Sequence, residues 1–219
     1  MTPEITLYSW ATPNGVKASI ALEELGLVYR NRPVDIHTNE QKKEWFLKIN
    51  PNGRIPALED KDERVFESGA ILLYLTDKYD LEGKISYRTG TPEYYEQLGW
   101  IMFQVGGIGP ILGQANHFRG MPLVKSDSAC IAGQDYSVER FTNESKRLLT
   151  VLESQLAGSP FLVGTKYTIA DIINFTWVRR VPTILGADLA QWPAVKRWVD
   201  TIEQREAVKK GLSIVTTPF

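Results

Sequence analysis

Cysteine is nearly absent from this chain: Cys130 is the single thiol in 219 residues. One thiol makes no internal disulfide, no multi-thiolate metal site and no CxxC redox pair, and it suits a reducing compartment. Histidine is almost as scarce. His37 and His117 stand 80 positions apart, outside any HExxH-type ligand spacing, so no metal is expected. An excess of one charge is missing too: 25 Lys+Arg against 26 Asp+Glu leave a formal charge of −1. Without a basic excess to neutralise phosphates, nucleic acid is not an expected partner. There is no low-complexity tract and no fixed-period repeat, and 43% hydrophobic with 23% charged residues exclude a disordered or fibrous chain. The opening MTPEITLYSW lacks the basic flank and apolar core of a signal peptide, so a cytoplasmic protein is expected.

Charge is absent altogether from Gln97 to Phe118, a stretch long enough for a membrane span and carrying a GxxxG in Gly109 and Gly113. The polar groups argue against that. Gln97, Gln104, Gln114, Asn116 and His117 would go unsatisfied in hydrocarbon, and Gly106, Gly107, Gly109 and Pro110 weaken the helix. A buried core helix, with no membrane contact, is the expectation.

The two halves carry different patterns. Residues 4 to 9 alternate polar and apolar, ThrProAsnGly at 12 to 15 makes a turn, and Ala18, Ala21, Leu22 and Leu25 recur at helical spacing before Gly26. Val28 to Ile36 suits a second strand, and Glu40 to Ile49 a short helix stopped by ProAsnGly at 51 to 53. Ile55 to Glu59 and Arg64 to Glu67 read as a hairpin around charged residues 60 to 63. Ser68 is placed to cap a helix with Ile71, Leu72, Leu75 and Tyr79 on its apolar face. The order βαβαββα predicts a compact α/β domain over residues 1–83. Residues 84–92 read as a linker and 93–219 as an all-helical domain.

In that second half Tyr94, Leu98, Ile101, Val105, Ile108 and Leu112 step by four and three, as do Val138, Phe141, Ser145, Leu148 and Leu152. Between these helices the composition of 113 to 133 predicts a long surface loop. Thr168 with Asp171 three residues on is a capping box, with Tyr167 and Ile172 as its hydrophobic staple. Trp192, Val195, Trp198, Val199 and Ile202, opened by Pro193, mark a further amphipathic helix.

Four places could carry chemistry, and each has a plain structural alternative. Asn14 stands where a strand gives way to a helix. It is either a turn residue or an amide donor beside first-turn N–H groups that favour an anion such as a thiolate. Tyr8, Ser9 and Thr12 are hydroxyl rivals at the same strand end. Pro56 in ArgIlePro opens a strand: it marks an edge, or a cis bond that turns the Ile55 backbone outward to pair with an extended peptide. Glu67 and Ser68 end a strand and begin a helix. They are a cap, or a reader of an amino-acid head in which the carboxylate takes the ammonium and the helix end takes the carboxylate. Asp171 is explained by folding through the capping box.

Taken together these segments resemble the cytosolic glutathione transferases over nearly the whole chain. SerTrpAlaThrProAsnGly matches that family's first strand-to-helix turn and AsnProAsnGlyArgIleProAlaLeu at 50 to 58 its cis-proline loop. GluSerGlyAlaIleLeuLeuTyrLeu at 67 to 75 matches its glutathione-binding turn, and ThrIleAlaAspIle at 168 to 172 its C-terminal capping box. The ProAsnGly form of the first turn is most similar to the fungal class related to the yeast nitrogen-catabolite regulator, in which asparagine holds the catalytic position.

The resemblance implies a thioredoxin-like N-terminal domain, an all-α C-terminal domain and a homodimer. It implies glutathione as co-substrate, with no metal, lying on Ile55 and Pro56, with its γ-glutamyl head at Glu67 and Ser68, its glycyl end near Arg54 or the second helix and a further contact at Gln41. Asn14 would hold the thiolate for attack on a hydrophobic electrophile or a hydroperoxide, as a transferase or peroxidase in detoxification. Cys130 is far from the motif. Trp10, Phe103, Ile108 and Phe118 are expected in the wall of the second-substrate pocket. The alternative is a non-catalytic protein that keeps the fold as a regulator or a carrier of apolar ligands.

Overall fold

The structure, a computed structural model, describes residues 4–120 and 134–214. Cys130 and positions 121–133 of the expected loop lie outside those residues.

Strand β1 (Ile5–Ser9) runs into helix α1 (Gly15–Leu25), and Gly26 ends that helix in the left-handed conformation. Strand β2 (Tyr29–Pro33) returns parallel to β1. The helix expected over 40 to 49 is divided. Lys43 is extended at φ −70, ψ 149, which separates a 3-10 turn (Glu40–Lys42) from a single helical turn, α2 (Glu44–Leu47). Strands β3 (Ala57–Asp60) and β4 (Glu63–Phe66) form the hairpin, tighter than the charge pattern suggested, with β3 antiparallel to β1. The mixed sheet has the order β2-β1-β3-β4 and leads into α3 (Ser68–Tyr79).

From there on the described chain is helical apart from one isolated bridge between Val163 and Lys166. The uncharged stretch is a core element as expected, but not one straight helix: α4 (Pro92–Phe103) passes through a π-helical turn (Gln104–Ile108) into α5 (Gly109–Gly120). Pro110 explains the break, since it has no N–H for the regular ladder and its ring crowds the carbonyl one turn back. Residues 113–120, expected in a loop, are the end of α5. Next come α6 (Gln134–Leu156), α7 (Ile169–Val178), α8 (Val181–Leu185), α9 (Pro193–Glu203) and α10 (Glu206–Ile214). Helices α8 and α10 have no counterpart among the expected elements.

Helix α7 begins on the capping box. Thr168 Oγ1 accepts from the Ala170 N–H at 3.2 Å, and the fully buried Asp171 carboxylate accepts from the Thr168 N–H at 2.9 Å. The same carboxylate takes the Leu162 N–H and the Trp198 indole N–H, each at 2.9 Å, and so ties α7 to α9.

One apolar core crosses both halves: Ile71, Leu72 and Leu75 of α3 pack in the same cluster as Ile101, Ile169 and Ile173. Helix α1 is buried nearly all round. Its Glu24 accepts from Arg205 Nε and Nη2, at 2.6 and 2.8 Å, and its Ser19 hydroxyl donates to Gly211 O at 2.6 Å. A smaller cluster of Tyr8, Val34, Phe46, Ile49 and Ala57 fills the other side of the sheet. Among the described residues, no helix is long and apolar enough to cross a membrane.

Candidate functional site

Three loops at one end of the sheet meet beneath helix α5. The first joins β1 to α1. Here Gly15 is required by space, because a Cβ on it would stand 2.1 Å from Trp10 O. Thr12 does the capping: its Oγ1 accepts the Gly15 N–H at 3.0 Å, which leaves the hydroxyl proton free to donate. Asn14 occupies the cap position without a side-chain cap bond. Its Oδ1 accepts the indole N–H of Trp177 on α7 at 2.8 Å.

The second loop precedes β3. Asn50 accepts the Asn52 N–H at 2.9 Å and donates to Arg54 O at 2.7 Å, and Gly53 turns at φ 59 where a Cβ would meet Gln41 O at 2.9 Å. The Ile55–Pro56 bond is cis, and both residues precede the ladder that begins at Ala57. Gln41 is buried, and among the described residues its Oε1 meets no hydrogen-bond donor.

The third loop is the β4–α3 junction. Glu67, and not Ser68, is the cap residue, at φ 70 and ψ 120, a conformation that costs a non-glycine residue about 1–3 kcal/mol and concentrates at functional sites. Ser68 is the first helical residue. Its Oγ accepts from Lys17 Nζ at 3.2 Å rather than capping the helix, which again leaves a hydroxyl proton to donate.

Lys17 is 1% exposed, and its second partner is Gln104 Oε1 at 2.8 Å, on the π-helical turn. Neither partner is charged. Burial pushes its ammonium down to about 7, against a smaller upward pull from Glu67.

Asn14, Gln41, Arg54, Ile55, Pro56, Glu67 and Ser68 all line one cavity of about 950 Å³. Thr12, Pro13, Ile36, Asn50 and Asn52 share it, while Pro110, Gly113, Asn116, His117 and Trp177 form the opposite wall. An adjoining recess of about 370 Å³ reaches Lys17, Gln104 and Gln114. The other hydroxyl candidates are placed elsewhere. Tyr8 donates to Glu59 from within the small cluster, and burial first and that carboxylate second push its phenol up to about 12. Ser9 is fully buried.

None of Trp10, Phe103, Ile108 and Phe118 is among the lining residues. Trp10 meets the ring of His37, Phe103 that of Trp100 and Phe118 that of Phe141, and Ile108 is in the core. Sequence reasoning missed Lys17 and Trp177. A lone lysine in an otherwise apolar helix and the polar handle of a core tryptophan were the available signals. Among the described residues, no three His, Cys, Asp or Glu side chains come together to hold a metal.

Comparison with known proteins agrees with this fold. Residues 3–77 match the family model of the glutathione S-transferase N-terminal domain, and residues 121–206 that of its C-terminal domain. The chain is 41% identical over 215 residues to the disulfide-bond oxidoreductase YfcG of Escherichia coli, covering 95% of this chain and 94% of that protein. It is similar to the solved glutathione transferase homolog of Lodderomyces elongisporus, which carries two GSH per subunit (TM-score 0.88, 40% identity, covering 98% and 99% of the two chains). It is likewise similar to the transferase URE2P6 of Phanerochaete chrysosporium, solved with oxidised glutathione (TM-score 0.87, 40% identity, 98% of each chain). With a thioredoxin-like sheet domain, an all-helical partner domain and likeness at this level over nearly its whole length, the chain belongs to the glutathione S-transferase family.

Proposed function

We propose that the cavity binds glutathione and holds its sulfur as a thiolate at the end of α1, for attack on a hydrophobic electrophile or a hydroperoxide. The observation that carries this reading is the convergence of Asn14, Gln41, Arg54, Ile55, Pro56, Glu67 and Ser68 on one cavity. The γ-glutamyl carboxylate meets the Ser68 hydroxyl proton and the first-turn N–H groups of α3, and the ammonium meets Glu67. The cysteinyl backbone lies on Ile55. Gln41 Oε1, which lacks a protein donor, and the Arg54 cation face the glycyl end. The cap conformation of Glu67 supports a site role, since a strained residue persists only where its surroundings hold it.

An asparagine cannot accept a proton at neutral pH, so its action is electrostatic. One hydrogen bond to a charged group is worth about 1.5–3 kcal/mol and one pKa unit about 1.4, so one donor lowers the thiol by about one to two units. From near 8.5, that ionises much of the bound thiol at pH 7. The thiolate then forms a carbon–sulfur bond to an electrophile while the leaving group departs with its electron pair. With a hydroperoxide it breaks the O–O bond, giving an alcohol and a sulfenic acid that a second glutathione converts to the disulfide and water.

A second reading is thiol–disulfide exchange, with the same thiolate attacking a disulfide sulfur. The name of the bacterial relative and the two glutathiones in the Lodderomyces homolog favour it, and it needs no protein cysteine. We infer a homodimer as well, with Tyr95, Met102 and Val105, all exposed along α4 and the π-helical turn, available for pairing. A lone cysteine and a glutathione-dependent reaction fit the cytoplasm and a role in detoxification.

The test measures turnover with a generic electrophile, cumene hydroperoxide and a small disulfide. Alongside it, the pKa of bound glutathione is followed by thiolate absorbance in Asn14→Ala, Thr12→Val and Tyr8→Phe. The expected result is a rise of roughly one to two units in Asn14→Ala and little change in the other two. A rise confined to Thr12→Val would move the role to the hydroxyl. Tight glutathione binding without turnover on any substrate would leave the regulator or carrier.

A further inference from the structure

The Trp177 indole N–H that reaches Asn14 Oδ1 at 2.8 Å is a donor and can never accept. Asn14 must therefore turn its oxygen toward Trp177. Because the carboxamide is planar with nitrogen and oxygen on opposite sides, Nδ2 then points away from the indole. Both side chains line the same cavity, and among the described residues no protein acceptor meets Nδ2.

We propose that Trp177 is a positioning residue that fixes which way the Asn14 amide faces, so that Nδ2–H and not Oδ1 is presented to the glutathione sulfur. The inference rests on the reading that Asn14 holds the thiolate. Left to itself an asparagine amide rotates in a broad, two-fold well, and its two faces have the same shape and opposite electrostatics. Oδ1 toward a thiolate repels it; Nδ2 toward it stabilises it. Donation into Oδ1 also polarises the amide and strengthens its N–H groups as donors.

Trp177 is itself held in place. Opposite its ring is Gly113, where even a Cβ would lie 3.4 Å from Cη2. One turn back along α7, Asn174 Nδ2 donates to Trp100 O at 3.0 Å and Ala170 O at 2.9 Å, which fastens α7 to α4. An amide on the first domain is thus oriented by a helix of the second.

The experiment is a double-mutant cycle read on the pKa of bound glutathione, with calorimetric affinity and a thermal melt on each protein. Its members are the parent, Trp177→Phe, Asn14→Ala and the double variant; Trp177→Leu, which also lacks the donor, replaces the Phe variant if that does not fold. Trp177→Phe is expected to raise the pKa enough to lower the thiolate fraction at neutral pH by roughly two- to tenfold. In the Asn14→Ala background it is expected to add nothing, since the group it acts through is gone. A parental pKa in Trp177→Phe beside a raised one in Asn14→Ala overturns the inference and leaves the Asn14 reading standing. Additive shifts overturn it as well, because Trp177 would then act independently. An unchanged pKa in Asn14→Ala removes the underlying reading and the inference with it.

Discussion

Lys17 is a buried cation with only neutral partners, and replacing it with methionine should reshape the pH dependence of stability. Its side chain is 1% exposed, Ser68 Oγ and Gln104 Oε1 are its hydrogen-bond acceptors, and no carboxylate among the described residues pairs with it. Burial lowers its pKa from 10.5 to about 7. Between those values the unfolded chain holds a proton that the folded chain has lost, so unfolding takes up a proton and stability rises with pH, by up to about 1.4 kcal/mol per pH unit. Below pH 7 both states are protonated and the full cost of burying the charge, about 4–5 kcal/mol over the interval, is present.

Lys17→Met removes that cost and also two hydrogen bonds, leaving Gln104 Oε1 unsatisfied at about 1–3 kcal/mol. The variant should be more stable than the parent at pH 6. Its advantage should shrink by about 3 kcal/mol as the pH is raised to 9.5. Urea unfolding of both proteins at several pH values measures the difference, and groups that titrate alike in both cancel. Parallel stability curves would refute the reasoning, since they would mean that Lys17 keeps its proton in the folded state or finds an anion to pair with.

Glu67→Gly should separate stability from binding. Relief of the φ 70 backbone gains about 1–3 kcal/mol against about 0.5–1 for glycine's extra freedom when unfolded, so the melting temperature should hold or rise. Glutathione affinity, by calorimetry, should fall by about 2–5 kcal/mol through loss of the ammonium partner; unchanged affinity would make Glu67 purely structural. Residues 1–83 expressed alone should show no cooperative melt by circular dichroism, because α1 packs its Ile20 under Gly211 and pairs its Glu24 with Arg205. A soluble, cooperative fragment would show that the boundary carries little packing.

The parts of the fold governed by local rules were legible in the sequence. Alternation gave β1, helical spacing before Gly26 gave α1, and Thr168 with Asp171 gave the start of α7, because each of those signals is a contact within a few residues. The expected glutathione residues converge on one cavity, and of these Asn14, Pro56, Glu67 and Ser68 stand out in the sequence because each lies where one element ends and the next begins. The errors fall where distant residues decide. Ser68 has the composition of a cap, but Lys17, 51 positions earlier, takes its hydroxyl. Loop-like composition over 113 to 120 is overridden by packing: Leu112 and Ala115 are fully buried in the core and Gly113 lies against the Trp177 ring, so the chain stays helical. Trp10 and Phe118, expected in a pocket wall, meet the rings of His37 and Phe141 from other parts of the chain, neighbours that local spacing does not reveal.

Both polar groups on which the proposed chemistry turns depend on the second half of the chain. Asn14 is oriented by Trp177, and Ser68 is tied through Lys17 to Gln104 on the π-helical turn. A straight α4–α5 helix would carry Gln104 and Gly109 in a different register, and the present one is tight: a Cβ at Gly109 would lie 2.5 Å from Gln104 Nε2. The π-helical turn therefore does more than absorb Pro110. It sets Gln104 where Lys17 can reach it, and Lys17 in turn donates to Ser68 Oγ, which leaves that hydroxyl its own proton to donate. On the proposed reading the first domain supplies the groups that meet glutathione and the second fixes which of their atoms donate, so the electrostatics of the site belong to the interface between the two.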